Sequence, residues 1–308
     1  MSDPTLVEFT VEQAGERLDK LLTQQIAHLT RTQLQALIKD GQVSVDGKAV
    51  KAGVKLRGGE RVQVVIPPPP PAELQAEVIP LVVLYEDEHL AVIDKPAGMV
   101  VHPGAGVTSG TLANALLARY PEVALMKGQR RQGIVHRLDK QTSGVMVVAR
   151  TEAALNALMG QFQRRQVEKV YLTLLELPPN PPEGRISAPI DRNPNVRTRM
   201  AVRSTGRPAV TDYETLETGF RGGQALVRAH IHTGRTHQIR VHFAHIGCPV
   251  VGDTVYGYAK QRVKLSRTFL HASRLSFDHP FSGERMSFES PLPLKLVRCL
   301  NGLRLPPT

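Results

Sequence analysis

Five consecutive prolines, Pro67 to Pro71, divide this 308-residue chain. Proline has a fixed φ and no amide hydrogen, so the run fits neither a helix interior nor the middle of a sheet. It is expected to form an extended polyproline spacer. Both flanks begin new hydrophobic patterns, which favours a domain boundary over a loop inside one domain. The segments expected are an N-terminal extension over 1–14, a small module over 15–66, a proline-rich linker over 67–77 and a large domain over 78–308. That length suits one sizeable core and a small accessory domain.

In the module, Leu18, Leu21, Leu22 and Ile26 recur at helical spacing. Thr30 can cap a second helix in which Leu34, Leu37 and Ile38 share a face, and Lys39-Asp40-Gly41 supplies a stop. Val43-Ser44-Val45 alternates as a strand, Asp46-Gly47 is a two-residue hairpin signal, and Val62, Val64 and Ile66 form a last strand.

The large domain mixes both element types. Leu81 to Tyr85 and Leu90 to Asp94 are short apolar strands, and 111–120 and 152–162 have helical spacing. Residues 170–177, 225–232 and 235–242 read as strands, the last with helical continuation possible beyond it. No clean βαβ repeat is present, so a doubly wound parallel sheet is disfavoured. The expected class is α+β: a mixed, largely antiparallel sheet with flanking helices, joined to a small α/β module.

Chemistry concentrates in His136-Arg137-Leu138-Asp139-Lys140-Gln141-Thr142-Ser143-Gly144, which runs into the apolar stretch Val145 to Ala149. One carboxylate, Asp139, stands between two cations at the mouth of a buried strand. The tetrapeptide Arg-Leu-Asp-Lys occurs also at Arg17 to Lys20. There Leu18, Leu21 and Leu22 share a helix face, so Asp19 is expected to be an ordinary solvated helix residue. On a strand, Arg137 would point to the same side as Asp139.

A formal charge of +11 and a pI near 9.9 call for an acidic partner, nucleic acid being the default. With 5% aromatic residues and no Trp, phosphate contacts and shape should outweigh base stacking. No apolar run approaches the ~20 residues of a membrane helix. The N-terminus lacks a secretory signal, and two cysteines make no disulfide framework. A cytoplasmic, monomeric protein is expected. Five histidines, His230, His232, His237, His242 and His245, fall within sixteen residues, but a zinc site needs three or four convergent ligands, and Arg235 and Arg240 would crowd a cation.

The run around Asp139 resembles the second motif of the RluA-type pseudouridine synthases. Asp87 to Pro103 resembles that family's first motif, Gly234 to His242 its later basic strand, and Gly252-Asp253-Thr254-Val255-Tyr256-Gly257 the segment after it. Gln141 departs from the pattern, since many members carry an acid there. The module resembles an S4 RNA-binding domain, which makes Arg31, Lys39, Lys48 and Lys51 candidate RNA contacts. The resemblance implies isomerisation of uridine in RNA with Asp139 as the catalytic carboxylate. It implies that Tyr171 stacks on uracil or assists at C5, and that a basic residue pairs with Asp139, Arg240 first and Arg235 in reserve. Arg137 would help fill the gap left by the extracted uridine, and His136, Lys140, Arg235 and His237 are further candidates for binding substrate.

The reaction breaks C1′–N1, turns the base and joins C5 to C1′; nothing is oxidised and no group is donated. No cofactor and no metal are therefore expected. Val100 to Gly106 resembles the RluD subgroup, so 23S rRNA in the large ribosomal subunit is the expected partner, with tRNA or another rRNA site as the alternative. A non-catalytic RNA-binding assembly factor is the competing class, disfavoured by the presence of Asp139, Tyr171 and Arg240.

Overall fold

The computed structural model describes residues 5–26, 29–66, 74–104, 106–126, 132–196 and 198–304. The chain separates into two compact units, Met1–Glu73 and Leu74–Thr308. The prolines of the spacer lie outside the described residues.

The first unit contains β1 (Thr5–Thr10), α1 (Leu18–Gln25), α2 (Arg31–Lys39), β2 (Val43–Val45), β3 (Lys48–Ala49) and β4 (Arg61–Ile66). Its sheet is antiparallel in the order β1-β4-β2-β3. Thr30 accepts from the Gln33 amide, and Gln33 caps the Thr30 amide in return, a reciprocal capping box that starts α2. Asp46 and Gly47 both have positive φ, 48° and 75°, as a tight two-residue hairpin requires. Leu18, Leu22, Leu34, Ile38, Val43 and Val62 close the core between the helices and the sheet. The N-terminal extension needs correcting: Thr5–Thr10 is a strand of this sheet, paired along its whole length with β4.

The second unit begins earlier than the patterning suggested. Leu74 packs on its core, the Asn114 side chain donates to the Gln75 carbonyl (2.8 Å), and the Gly110 amide donates to the Glu77 carboxylate. Residues 74–77 thus belong to the large unit and not to a linker.

Its elements are β5 (Val82–Glu86), β6 (Leu90–Lys95), α3 (Leu112–Arg119), β7 (Ser143–Ala149), α4 (Glu152–Gln163), β8 (Glu168–Leu175), β9 (Glu183–Ser187), β10 (Ile190–Arg192), β11 (Met200–Val202), β12 (Val210–Glu217), β13 (Ala225–Ile231), α5 (Gln238–His245), β14 (Leu270–Asp278), β15 (Arg285–Glu289) and α6 (Leu294–Leu303). The main sheet runs β5-β6-β7-β14-β8-β13-β12-β9, with β15 also on β14. Among the described strands only β7 and β14 pair in parallel. The mixed, largely antiparallel α+β architecture is as expected.

The two faces of the sheet are both covered. Ala91, Ile93, Met146 and Val148 face α3 through Leu112 and Leu116. Leu90, Val92, Val145 and Val147 face α4 through Leu155 and Leu158. Residues 145–149 are therefore apolar without alternation.

One element differs in kind. Residues 235–242 are not a strand: His237 takes a left-handed conformation (φ 58°) and α5 follows. Every residue from Gln238 to Phe243 is buried, so the helix shows no polar face and its period is hidden. Gln238 fixes the turn. Its carbonyl accepts from Thr233 (2.7 Å) and the Arg235 amide (3.1 Å), and its amide donates to the Val210 carbonyl.

Candidate active site

The site is built where β7 and β14 meet. Gly144 has φ 122°, and a Cβ there would fall 2.1 Å from the Ala272 carbonyl oxygen. Only glycine lets the two strands approach so closely, which accounts for the residue that ends the polar run. Just before it, Ser143 Oγ meets His271 Nδ1 at 2.9 Å and accepts from Arg267 at 2.9 Å. Burial lowers the Arg267 pKa to about 10.

The loop carrying Asp139 is pinned from two sides. The Thr142 amide donates to the Asp139 carbonyl (3.0 Å), and the Gly98 amide donates to the Lys140 carbonyl (2.7 Å). Gly98 is held in turn by Lys95, which is fully buried and donates to the Pro96 and Met99 carbonyls at 2.8 and 2.9 Å. Burial, aided by the Arg267 charge and opposed by Asp139 and Asp94, pushes the Lys95 amine down to about 7. The Asp-Lys-Pro-Ala-Gly stretch is therefore a brace for the Asp139 loop. Arg137 and Asp139 lie in a loop that leads into β7, and both line the same slot.

Asp139 remains partly open, its side chain 19% exposed, and Arg240 donates to it at 3.2 Å. Arg235 instead donates to the Pro208 carbonyl (3.0 Å). Arg240 is itself gripped by Asp253 through two hydrogen bonds of 2.7 and 3.0 Å. Asp253 is fully buried and also accepts the Val255 and Tyr256 amides. Burial opposes the Arg240 charge, but Asp253 and then Asp139 outweigh it and raise the pKa. Burial likewise works against the Asp253 charge, and the Arg240 hydrogen bonds hold its pKa below the usual carboxylate range.

His237 Nε2 lies 4.0 Å from Asp139, and Nδ1 lies 2.7 Å from the Tyr256 hydroxyl. That hydroxyl also accepts the Met200 amide, so its own proton is available to Nδ1, leaving Nε2–H toward the carboxylate. Burial is the main cause of a lowered His237 pKa.

Tyr171, on β8, stands with Asp139 in a narrow slot of about 70 Å³ walled by Ile231, Ile239 and Leu270. It is only 7% exposed. Burial and the nearby Asp139 raise its pKa, so the phenol stays protonated. On the other side, Asp139 opens to a cleft of about 840 Å³ lined also by His102, Lys140, Arg199, Arg240, Asp253 and Arg267. The arrangement offers an oriented carboxylate, paired with a braced guanidinium, between a narrow, largely apolar slot and a wide cleft of mixed charge.

Residues 89–245 match the RNA pseudouridylate synthase family, and residues 16–62 match the S4 domain. The chain belongs to the RNA pseudouridylate synthase family. It is 50% identical over 292 residues to an uncharacterized RNA pseudouridine synthase of Chloroflexus aurantiacus, covering 95% of this chain and 91% of that one. It is 46% identical over 303 residues to the ribosomal large subunit pseudouridine synthase D of Xanthomonas campestris, covering 94% and 90%. The solved human RNA pseudouridylate synthase domain containing 1 aligns with a TM-score of 0.59 and 31% identity, covering 73% of this chain and 89% of that one. The chain is thus an RNA pseudouridine synthase, an isomerase, with an N-terminal S4 domain.

The synthase residues expected from sequence fall into three groups. Asp139, Tyr171, Arg240, Arg137, Arg235 and His237 converge on the slot and cleft, and Lys140 lines the cleft. His136 lines a further cavity beside the slot, where its ring stacks on Phe162 (4.7 Å) and Nε2 accepts the Val147 amide (3.1 Å). Burial, then the Lys169 charge, pushes it down to about 3. In the S4 domain, Lys39, Lys48 and Lys51 are exposed, whereas Arg31 donates to Asp19 at 2.7 Å. The expectation that Asp19 is solvated is overturned, since it is fully buried and also bound by Arg17 and Gln35.

The histidine cluster disperses. His242 bonds Thr211 and the Ala188 carbonyl, and His237 turns to the active site. His230 and His232 do approach Asp212 closely enough to share a cation, but Arg185 already holds that carboxylate with two hydrogen bonds. Patterning alone assigned no role to Asp253 or Tyr256; the only signal was their place in Gly252 to Gly257. Among the described residues, no helix is long and apolar enough to cross a membrane.

Proposed function

We propose that this synthase converts uridines of large-subunit (23S) ribosomal RNA to pseudouridine in the cytoplasm, as a monomer, with Asp139 as its catalytic carboxylate. The observation that carries the reading is the Asp139–Arg240–Asp253 chain: a partly open carboxylate facing a cleft, paired with a guanidinium that a buried acid orients. Breaking C1′–N1 leaves cationic character at the ribose, which an ionised carboxylate stabilises or captures. The uracil stays in the slot, its face against Tyr171, while it turns to present C5. A protonated Tyr171 suits stacking and hydrogen bonding better than proton abstraction. Every atom of the substrate is retained, so the step needs no electron acceptor or group donor.

The choice of large-subunit RNA follows the naming of the Xanthomonas relative and the RluD-like Val100 to Gly106 stretch. Loop uridines are the favoured targets, because an unpaired base is extracted at lower cost. The test is to incubate the protein with 23S and tRNA transcripts and to map pseudouridine in rRNA from cells lacking the gene. New pseudouridine in the 23S transcript, and its loss at the same position in those cells, is expected. Modification confined to tRNA would overturn the substrate assignment, and no modification of any RNA would overturn the catalytic one.

A further inference from the structure

A second cavity, about 620 Å³, adjoins the slot and shares Arg137, Tyr171, Ile231, Gly234 and Arg235 with it. Five arginine and lysine side chains line it: Arg137, Arg165, Lys169, Arg207 and Arg235. No carboxylate lies in its wall among the described residues. By contrast, the cleft on the other side of Asp139 contains two acids, Asp139 and Asp253. Like charges brought together without a counter-ion are unfavourable in the free protein. The groups themselves feel the crowding: burial first, then Arg207 and Arg165, lowers the Arg235 pKa. Burial and Arg165 push the Lys169 amine down to about 8.

The backbone adds an independent sign. Arg165 follows α4 in a left-handed conformation, φ 60°, at the position where helices usually end in glycine. An L-residue there costs roughly 1 kcal/mol, and such strain gathers at ligand sites. Glycine would end the helix without strain but would remove a guanidinium from the trough.

We propose that this trough is the subsite for the RNA strand on one side of the target uridine, with Arg165, Arg207 and Lys169 neutralising successive phosphodiesters as the strand leaves the slot. A volume of this size accommodates a ligand of nucleotide dimensions, within the range of about 300–1,000 Å³ usual for small-molecule sites. Phosphate is the chemistry that a wall of cations without acids recognises. The proposal rests on the reading that the adjoining slot takes a uridine of RNA, and it assigns the flanking backbone to this wall and not to the mixed-charge cleft opposite.

The test uses the full chain and an RNA stem-loop with the target uridine in its loop. Arg165→Gln/Arg207→Gln should raise KM at least tenfold while kcat falls by much less. It should also flatten the slope of log K against log salt by about 1.4, at ~0.7 per single-strand phosphate. A control that removes two exposed charges elsewhere, Arg221→Gln/Arg298→Gln, should keep wild-type slope and KM. RNAs cut back on the 5′ or the 3′ side of the uridine identify the side served, since the penalty should vanish in one series alone. Arg165→Gly should raise Tm, by relieving strain, and still raise KM. A purely structural Arg165 would not give that combination. If the double variant matches the control in slope and KM, the trough does not bind the strand. If the wild type modifies no RNA, the catalytic reading fails instead, and the binding slopes still judge the trough.

Discussion

Arg17-Leu18-Asp19-Lys20 and Arg137-Leu138-Asp139-Lys140 are the same four residues in two environments. Asp19 lies in the first turn of α1, fully buried, with Arg17, Arg31 and Gln35 all donating to its carboxylate. Asp139 lies in a loop, 19% exposed, with one hydrogen bond from Arg240 and an open cleft before it. A carboxylate whose lone pairs are filled by its own domain is a structural joint. One held by a single braced cation can interact with a substrate. The difference is made by what surrounds the tetrapeptide. Leu21 and Leu22 continue a helix after the first copy, whereas Gly144 forces a close strand crossing after the second.

The comparison predicts its largest effect at Asp139. Asp139→Asn keeps the shape and removes the charge, so turnover should fall at least ~10⁴-fold, the scale seen when a member of a catalytic unit is lost. RNA affinity and Tm should hold near wild type. Quantifying pseudouridine after long incubation at high enzyme concentration checks it; ready turnover by the purified variant would remove Asp139 from the chemistry.

Asp253 comes next. Asp253→Ala leaves Arg240 buried and short of a partner, a defect that costs about 3–5 kcal/mol when a buried pair is broken. A guanidinium displaced by ~1 Å should lower kcat about 10²-fold. If Asp253 acts by positioning, Asp253→Asn should recover part of the loss in kcat, because an amide can still accept from Arg240. A kcat unaffected by Asp253→Ala would mean that Arg240 needs no brace.

Removing the S4 domain should be milder still. Its exposed Lys39, Lys48 and Lys51 suit phosphates, so deleting residues 1–73 should flatten the salt dependence of RNA binding by ~0.7–0.9 for each phosphate that the domain neutralises. Turnover at saturating RNA should stay within about tenfold, or ~1.4 kcal/mol, for a part that does not touch the reacting atoms. An unchanged slope would argue against RNA binding by these lysines.

Much of this was legible in the sequence because the signals were local. The Thr30 capping box, the Asp46-Gly47 hairpin and the doubly covered strand from Val145 to Ala149 each write their geometry into adjacent residues. Arg137 and Asp139 were legible through the run from His136 to Gly144, whereas Tyr171, and Arg240 ahead of Arg235, followed only from the family resemblance. What escaped depended on distant partners. Helix α5 was hidden because burial on every side erased its period. Strand β1 was missed because its pairing with β4 spans more than fifty residues. His136 sat in the motif but packs on Phe162, and Asp253 gained its role only by meeting Arg240 in space.

The smallest effect on catalysis, and the sharpest on the comparison, should come from Asp19→Asn. Arg17 and Arg31 are more than half exposed and can return to water, so the loss should be about 1–3 kcal/mol, that of weakened charged hydrogen bonds. The Arg17 and then the Arg31 hydrogen bonds hold the Asp19 pKa far below the ordinary carboxylate range, even against burial. A depressed folded pKa means that the unfolded chain takes up the proton first. The contribution to stability is therefore full above about pH 4 and is lost as the pH falls below it. Hydrogen exchange of the α1 and α2 amides in the full chain should show wild-type protection declining as the pH is lowered from 5 to 3, after correction for intrinsic exchange rates. Asp19→Asn should begin less protected and decline less over that range. Turnover of a saturating minimal stem-loop should stay within about twofold, under ~0.5 kcal/mol. A turnover loss as deep as that of Asp139→Asn would mean that the two copies of the tetrapeptide do not divide structure from chemistry.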